Sequence, residues 1–280
     1  MKDFAGKTAV ITGAAEGIGK AIASRAAEEG MKLVLADINA ELLDATVREF
    51  AGKGATAIGR RVDVAKEGEV DALADAAFAA FGNVHLLVNN AGVALGKPAW
   101  ETSQRDWDWV MGVNLYGVTN GLRAFVPRMI ERAEEGHIVN TASIAGMLSV
   151  PGLAAYNASK FAVVTVSEGL HHDLALRHAR IGVSVLCPGW VKTRITLSER
   201  NRPPAERTDV KTLDARTIKT AEAVHRAVES GKSPREVADA VFAAVGNGDF
   251  YIITHADSLP GIKVRMTDIL ENRQPTLLRI

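Results

Sequence analysis

Tyr156 and Lys160 are the pair in this chain best suited to moving a proton. They stand four positions apart, and on a helix that spacing sets both side chains on one face, about 5–6 Å apart at Cβ. A nearby ammonium biases a phenol toward phenolate; the free phenol titrates near ~10, and each unit of depression is worth about 1.4 kcal/mol. A phenol tuned in this way exchanges a proton with an alcohol or carbonyl oxygen near neutral pH. Tyr-x-x-x-Lys also arises by chance on helix surfaces, so its meaning depends on what accompanies it.

An anion cradle accompanies it. Thr12-Gly13-Ala14-Ala15-Glu16-Gly17-Ile18-Gly19 follows the first β-like run and leads into a helical stretch. Glycines let a backbone turn sharply and approach a diphosphate, while the free N–H groups of the helix start face the anion. The spacing is GxxxGxG, which meets the usual GxGxxG fingerprint only approximately. Asp37 ends the next apolar run, LVLAD, and a carboxylate there accepts hydrogen bonds from both ribose hydroxyls and repels a 2′-phosphate. The cofactor expected is therefore NAD, with NADP disfavoured. Ile38 adds no cation and Glu16 adds an acid, whereas Arg60 and Arg61 speak the other way.

These residues must be held by a scaffold, and the chain alternates β-branched runs with Ala-rich stretches of helical period. Strands are expected at Thr8–Thr12, Lys32–Asp37, Thr56–Asp63, Leu86–Asn89, His137–Thr141, Ile181–Cys187 and Phe250–Thr254, and helices at 17–30, 39–51, 66–81, 102–133 and 152–178. Asn39 is the expected cap of the second helix, with Glu41 in its first turn. The strands read as near-continuous apolar runs, as when helices cover both faces of a parallel sheet. The fold class expected is α/β, a doubly wound Rossmann-type sandwich of about seven parallel strands. A βα barrel would need eight strand–helix pairs, one more than the sequence offers.

Composition bounds the rest. The 280 residues are 47% hydrophobic, enough for one domain across 1–280, and the 33 basic and 33 acidic residues balance. With no like-charge run beyond two residues, neither nucleic acid nor a membrane surface is an expected partner. The longest apolar runs, Ala76 to Phe81 and Ala240 to Val245, are far shorter than the roughly 20 residues of a membrane span. Met1 opens no secretory leader, and the single Cys187 fits a reduced, cytoplasmic setting. His171, His172 and His178 share a helix without a carboxylate-rich partner set, so no metal is expected. Residues 191–231, rich in Arg, Glu, Pro and Thr, are expected to form a substrate lid, and 255–280 a C-terminal tail.

TGAAEGIG at 12–19, Asp63-Val64, NNAG at 89–92, VNLYG at 113–117, Ser143, YNASK at 156–160 and PGWVKT at 188–193 occur in this order. Together they resemble the short-chain dehydrogenase/reductase family over about residues 7–193. The resemblance implies a catalytic set of Asn114, Ser143, Tyr156 and Lys160. Tyr156 would exchange the proton, Ser143 position the substrate oxygen, and Lys160 hold the nicotinamide ribose and lower the phenol's pKa. Asn114 would support a water beside Lys160. Hydride passes directly between substrate carbon and nicotinamide. The cofactor would be held by Gly13, Gly17, Ile18 and Gly19, by Asp37, by Asp63 and Val64 at the adenine, by Asn90 and Gly92 at the ribose, and by Tyr156 and Lys160. Pro188, Gly189, Val191 and Thr193 would flank the nicotinamide, while Asn89 ties central strands together.

The expected substrate wall is apolar: Val93, Ala94, Leu95, Ile144 to Leu153, Trp190, Ile195 and Leu197. A bulky hydrophobic or aromatic secondary alcohol and its ketone follow. The stretches at 106–130 and 250–254 are similar to relatives that oxidise benzylic alcohols of lignin-type aryl ethers. Arg194, Arg200, Arg202 and Arg207 read as a solvated face, or as recruiters of a substrate carboxylate. Of Trp100, Trp107 and Trp109, only Trp100 is assigned a possible substrate contact. The family implies a homotetramer through 102–133, 152–178 and the last strand, with a dimer next and the tail reaching a neighbour. Two other functions stay open: an NADPH-dependent carbonyl reductase, and a non-catalytic NAD-binding regulator.

Overall fold

The computed structural model describes residues 1–208 and 215–278. Seven strands, β1 (Thr8–Thr12), β2 (Lys32–Asp37), β3 (Ala57–Arg61), β4 (Leu86–Asn89), β5 (Gly136–Thr141), β6 (Ile181–Cys187) and β7 (Tyr251–Ile253), form one sheet. Its order is β3-β2-β1-β4-β5-β6-β7, and every neighbouring pair is parallel. The Rossmann-type α/β sandwich expected from the alternating pattern is what the chain forms.

Period-two side-chain alternation explains the unbroken apolar runs. Ile11, Leu33, Leu35 and Val88 face one side and meet Ile22, Ala23 and Ala26 of α1 (Gly17–Glu28) and Val237, Val241 and Val245 of α8 (Pro234–Asn247). Val10, Val34, Leu87 and Ile138 face the other and meet Leu73 and Ala77 of α3 (Glu67–Phe81) and Phe125 and Met129 of α5 (Gly117–Arg132). Burying a side chain the size of Phe125 contributes about 1.5–3 kcal/mol. Asn39 caps α2 (Ala40–Gly52) by accepting from the Leu42 N–H at 3.0 Å, as its position predicts.

Three stretches differ from expectation. The helix expected over 102–133 is broken. A capping box between Ser103 and Asp106 starts α4 (Gln104–Met111), and a π-helical turn, Gly112–Tyr116, separates it from α5. The extra residue of a π turn re-aims side chains, and Asn114 there is fully buried. Residues 191–231 carry helical structure: 3₁₀ turns at Ile195–Asn201 and Pro204–Glu206, then α7 (Ala215–Glu229); 209–214 lie outside the described residues. The third is α8, whose capping box Ser233-Pro234-Arg235-Glu236 is itself a helix-start signature. The remaining helices are α6 (Ala154–Leu176) and α9 (Leu259–Leu270). Both β3 and β7 are shorter than expected, and each is an edge strand.

Candidate active site

Connections from β1 and β4, neighbours in the sheet, run to opposite sides, and a crevice opens beyond the strand ends at such a switch point. Here it is a cavity of about 630 Å³. One end is built from the glycine turn: Gly13 and Gly17 have φ of 62° and 57°, and a Cβ on Gly19 would lie 2.1 Å from the Gly13 carbonyl oxygen. Only glycine permits that closure. Glu16 occupies the N-cap of α1 yet makes no side-chain cap, because its carboxylate turns to Arg194 and Arg200. The N–H groups at the helix start are thereby left to an anion, and a diphosphate fits them.

Asp37 sits at the end of β2, accepting from the Ala15 N–H at 3.0 Å and the Asn39 N–H at 2.9 Å. Burial raises its pKa, and these two amides draw it back. Arg61 lines the same region but its guanidinium is spent on Glu69 at 3.0 Å. Asn90 pins the turn, donating to the carbonyls of Thr12 and Gly13 at 3.0 and 3.3 Å. The Asn89 amide donates to Asn140 at 2.9 Å, tying β4 to β5.

At the other end stand Ser143, Tyr156 and Lys160, raised by the turn after β5 and the first turns of α6. Gly146 lets that turn meet α6, since a Cβ there would be 2.6 Å from the Lys160 carbonyl oxygen. The Lys160 ammonium is buried, donates to the Thr141 carbonyl at 2.9 Å, and lies 5.6 Å from the Tyr156 ring centre. Burial pushes its pKa down to about 8. In the chain without cofactor, burial raises the Tyr156 pKa and the Ser143 hydroxyl works the other way. In the protein alone desolvation outweighs the ammonium, which is turned to a strand carbonyl.

The cavity wall contains Gly13, Gly17, Ile18, Asp37, Asp63, Val64, Asn90, Gly92, Ser143, Tyr156, Lys160, Pro188, Gly189, Val191 and Thr193. Gly19 and Asn114 are not in it. Gly19 shapes the turn from behind. Asn114 accepts from the Val93 N–H at 2.8 Å and donates to the Val93 carbonyl and the Ser159 hydroxyl, both at 3.0 Å. These bonds fix the side chain next to Lys160: the Asn114 Oδ1 and the Lys160 Nζ each lie 3.5 Å from where a Cβ on Gly92 would stand.

Of the expected substrate wall, Val93, Ala94, Ile144, Ala145, Val150, Leu153, Trp190 and Ile195 are present; Leu95 is packed behind, and Leu197 is half exposed. Trp109, not Trp100, lines the cavity, and Trp100 is 84% exposed. Of the four arginines expected on a solvated face, Arg194 and Arg207 are exposed, Arg200 is partly buried and Arg202 departs from the expectation. Arg202 is buried, donating to Asp106 at 2.7 Å and stacking 5.0 Å from the Trp109 ring. Arg207 donates to the carbonyls of Arg202 and Arg200. Ser198 accepts from the Ala94 N–H at 3.0 Å, docking the segment on the wall. Sequence reasoning missed Thr141, Ser198 and Asp106, though the Ser103-x-x-Asp106 spacing signalled a helix start.

The chain is 38% identical over 277 residues to the CLA biosynthesis dehydrogenase/reductase of Lactiplantibacillus plantarum, covering 98% of this chain and 97% of that protein. It is 34% identical to the C alpha-dehydrogenase of Sphingobium sp., covering 98% and 89%. A short chain dehydrogenase/reductase from Burkholderia phymatum, solved in complex with NAD, superimposes with a TM-score of 0.96 at 47% identity, covering all of both chains. The short chain dehydrogenase family model matches residues 7–203, and with the parallel seven-stranded sheet and the crevice at its switch point this chain is a member of that family.

Proposed function

We propose that the chain is an NAD-dependent oxidoreductase acting on a bulky hydrophobic or aromatic secondary alcohol and its ketone, with Tyr156 as general acid and base. The observation that carries this reading is the opening of Ser143, Tyr156 and Lys160 into one cavity with the glycine turn and Asp37. The nicotinamide, when bound, supplies the hydride acceptor or donor.

Tyr156 holds the proton that the substrate oxygen gives up on oxidation or takes on reduction. Ser143, beside the phenol, orients that oxygen, and its hydroxyl donates to the Pro188 carbonyl at 3.3 Å. Lys160 supplies the positive charge behind the phenol and a second donor for the cofactor ribose. Val93, Ala94, Val150, Leu153, Trp190, Val224 and Val228 exclude water from the reacting carbon. Arg194, Arg200, Arg202 and Arg207 are each engaged by an acid or a backbone carbonyl, which favours an uncharged substrate over a carboxylate. The described parts of 191–231 act as the lid, docked on the wall by Ser198 and Arg202.

NAD is favoured over NADP because Asp37 closes the ribose end and Arg61 is tied to Glu69. The assay is absorbance at the nicotinamide band with NAD or NADP and a panel of aryl and alkyl secondary alcohols. Turnover with NAD supports the reading. Preference for NADPH and a ketone would favour a carbonyl reductase, and binding without any turnover a regulator. A homotetramer is the assembly inferred from the family, resting here on exposed Tyr116, Leu176 and Tyr251 around α5, α6 and the edge strand β7. Light scattering of the eluted protein tests it: a monomeric mass removes it.

A further inference from the structure

We propose that His255 is a positioning residue that clips the 188–191 turn into register with the nicotinamide end of the cavity. This rests on the oxidoreductase reading for its consequence but not for its geometry. His255 lies beyond the 7–203 stretch shared with the family model, at the first turn of the C-terminal segment. Its Nδ1 accepts from the Gly189 N–H at 3.0 Å, and its Nε2 lies 3.0 Å from the Trp190 carbonyl oxygen. The donor on Gly189 requires a bare lone pair on Nδ1, so Nε2 carries the proton and donates to Trp190. One neutral imidazole thus holds two consecutive backbone groups of one turn. The Thr254 hydroxyl, 2.8 Å from Nδ1, supports the same tautomer.

The close fit is mutual. A Cβ on Gly189 would stand 2.8 Å from the His255 Cγ, so glycine is what lets the ring lie against the backbone. Other contacts finish the turn: the Pro188 carbonyl accepts from the Ile144 N–H at 2.9 Å, and the Trp190 carbonyl also accepts from the Lys232 N–H at 3.0 Å. Pro188, Trp190 and Val191 all line the cavity. The ring joins this turn to the end of β7, two residues beyond the Cys187–Ile253 pair of the ladder, and the His255 carbonyl in turn accepts from the Ser258 N–H at the start of the C-terminal helix. The root of α9 is therefore fastened to the part of the wall that orients the nicotinamide, and small errors there cost rate more than binding.

The test compares His255→Ala, His255→Asn and His255→Gln. Asn offers an acceptor where Nδ1 stands, and Gln offers a donor where Nε2 stands. Amide exchange of residues 187–192 is followed in the protein without cofactor, which reads the clip whether or not any alcohol is turned over. The Ala variant should exchange the Gly189 amide about tenfold faster, and kcat should fall about tenfold with a much smaller change in KM. Asn should restore the Gly189 protection and most of kcat; Gln should restore neither. Unchanged exchange in the Ala variant, or Asn and Gln behaving alike, would overturn the proposal. The expected exchange pattern with no turnover in any variant, including the parent, would instead count against the oxidoreductase reading alone.

Discussion

The Lys160 ammonium is held by the last carbonyl of β5, with Nζ 2.9 Å from the Thr141 oxygen and 5.6 Å from the Tyr156 ring centre. Its charge is thus set behind the phenol rather than against it. Lys160→Met removes that charge, so the phenol should titrate still higher and the limb of the pH–rate profile for alcohol oxidation should move to higher pH. A fall in kcat/KM of at least about tenfold near neutral pH is expected. A profile unmoved along the pH axis would mean that Lys160 does not act on the phenol.

Asp37 is braced by the Ala15 and Asn39 amides, so its carboxylate has a fixed direction toward the cavity. In Asp37→Ala the ratio of kcat/KM for NAD over NADP should shrink about tenfold or more, the value of roughly one charge-assisted pair of hydrogen bonds. Steady-state kinetics with both cofactors decides it. An unchanged ratio would place the ribose elsewhere.

Arg202 and Asp106 form a buried ion pair that pins the 195–207 segment to α4. Burial alone would raise the Asp106 pKa, but Lys97, Arg202 and Ser103 hold it down at about 2. Arg202→Ala leaves Asp106 with Lys97, so the cost should fall at the lower end of the about 3–5 kcal/mol typical of a broken buried pair. Denaturant midpoints measure the loss, and limited proteolysis should show earlier cleavage within 195–207. Equal midpoints and equal cleavage would show that the pair holds nothing.

His137 gives the fold a pH limit. Its Nε2 lies 2.7 Å from the Ser184 hydroxyl, which itself donates to the Asp249 carbonyl, so Nε2 carries the proton and donates. Burial pushes its pKa down to about 4. The unfolded chain takes up a proton below about 6.5 while the folded chain does not, so stability falls as pH drops from about 6.5 to about 4. The full loss is about 3 kcal/mol, of which about 2 kcal/mol should be gone at pH 5. Urea unfolding at pH 7 and pH 5 should show that part of the slope missing in His137→Gln.

Much of this molecule was legible because both sheet faces are buried, so Val10-Ile11 and Leu33-Val34-Leu35 had to be apolar in every position. The glycine turn was equally legible, since positive φ at Gly13 and Gly17 and the close approach at Gly19 leave no other residue. The broken helix at 112–116 was not, because the stretches on either side are both helical and the one-residue phase shift between them is too small to read as a break. Nor was the burial of Arg202, since its partner Asp106 is 96 positions away and period says nothing about such pairings. The Lys160 bond to Thr141 was not legible either: four-residue spacing sets two side chains on one face, but not where an ammonium spends its donors.

The most direct measurement of the central claim is turnover and cofactor binding by Tyr156→Phe, side by side with the parent. Phenylalanine keeps the ring and its packing and removes only the hydroxyl. Loss of kcat by about 10²–10⁴-fold or more, with the dissociation constant for NADH unchanged within about twofold, is the expected result. Turnover retained by the variant would contradict proton exchange through Tyr156.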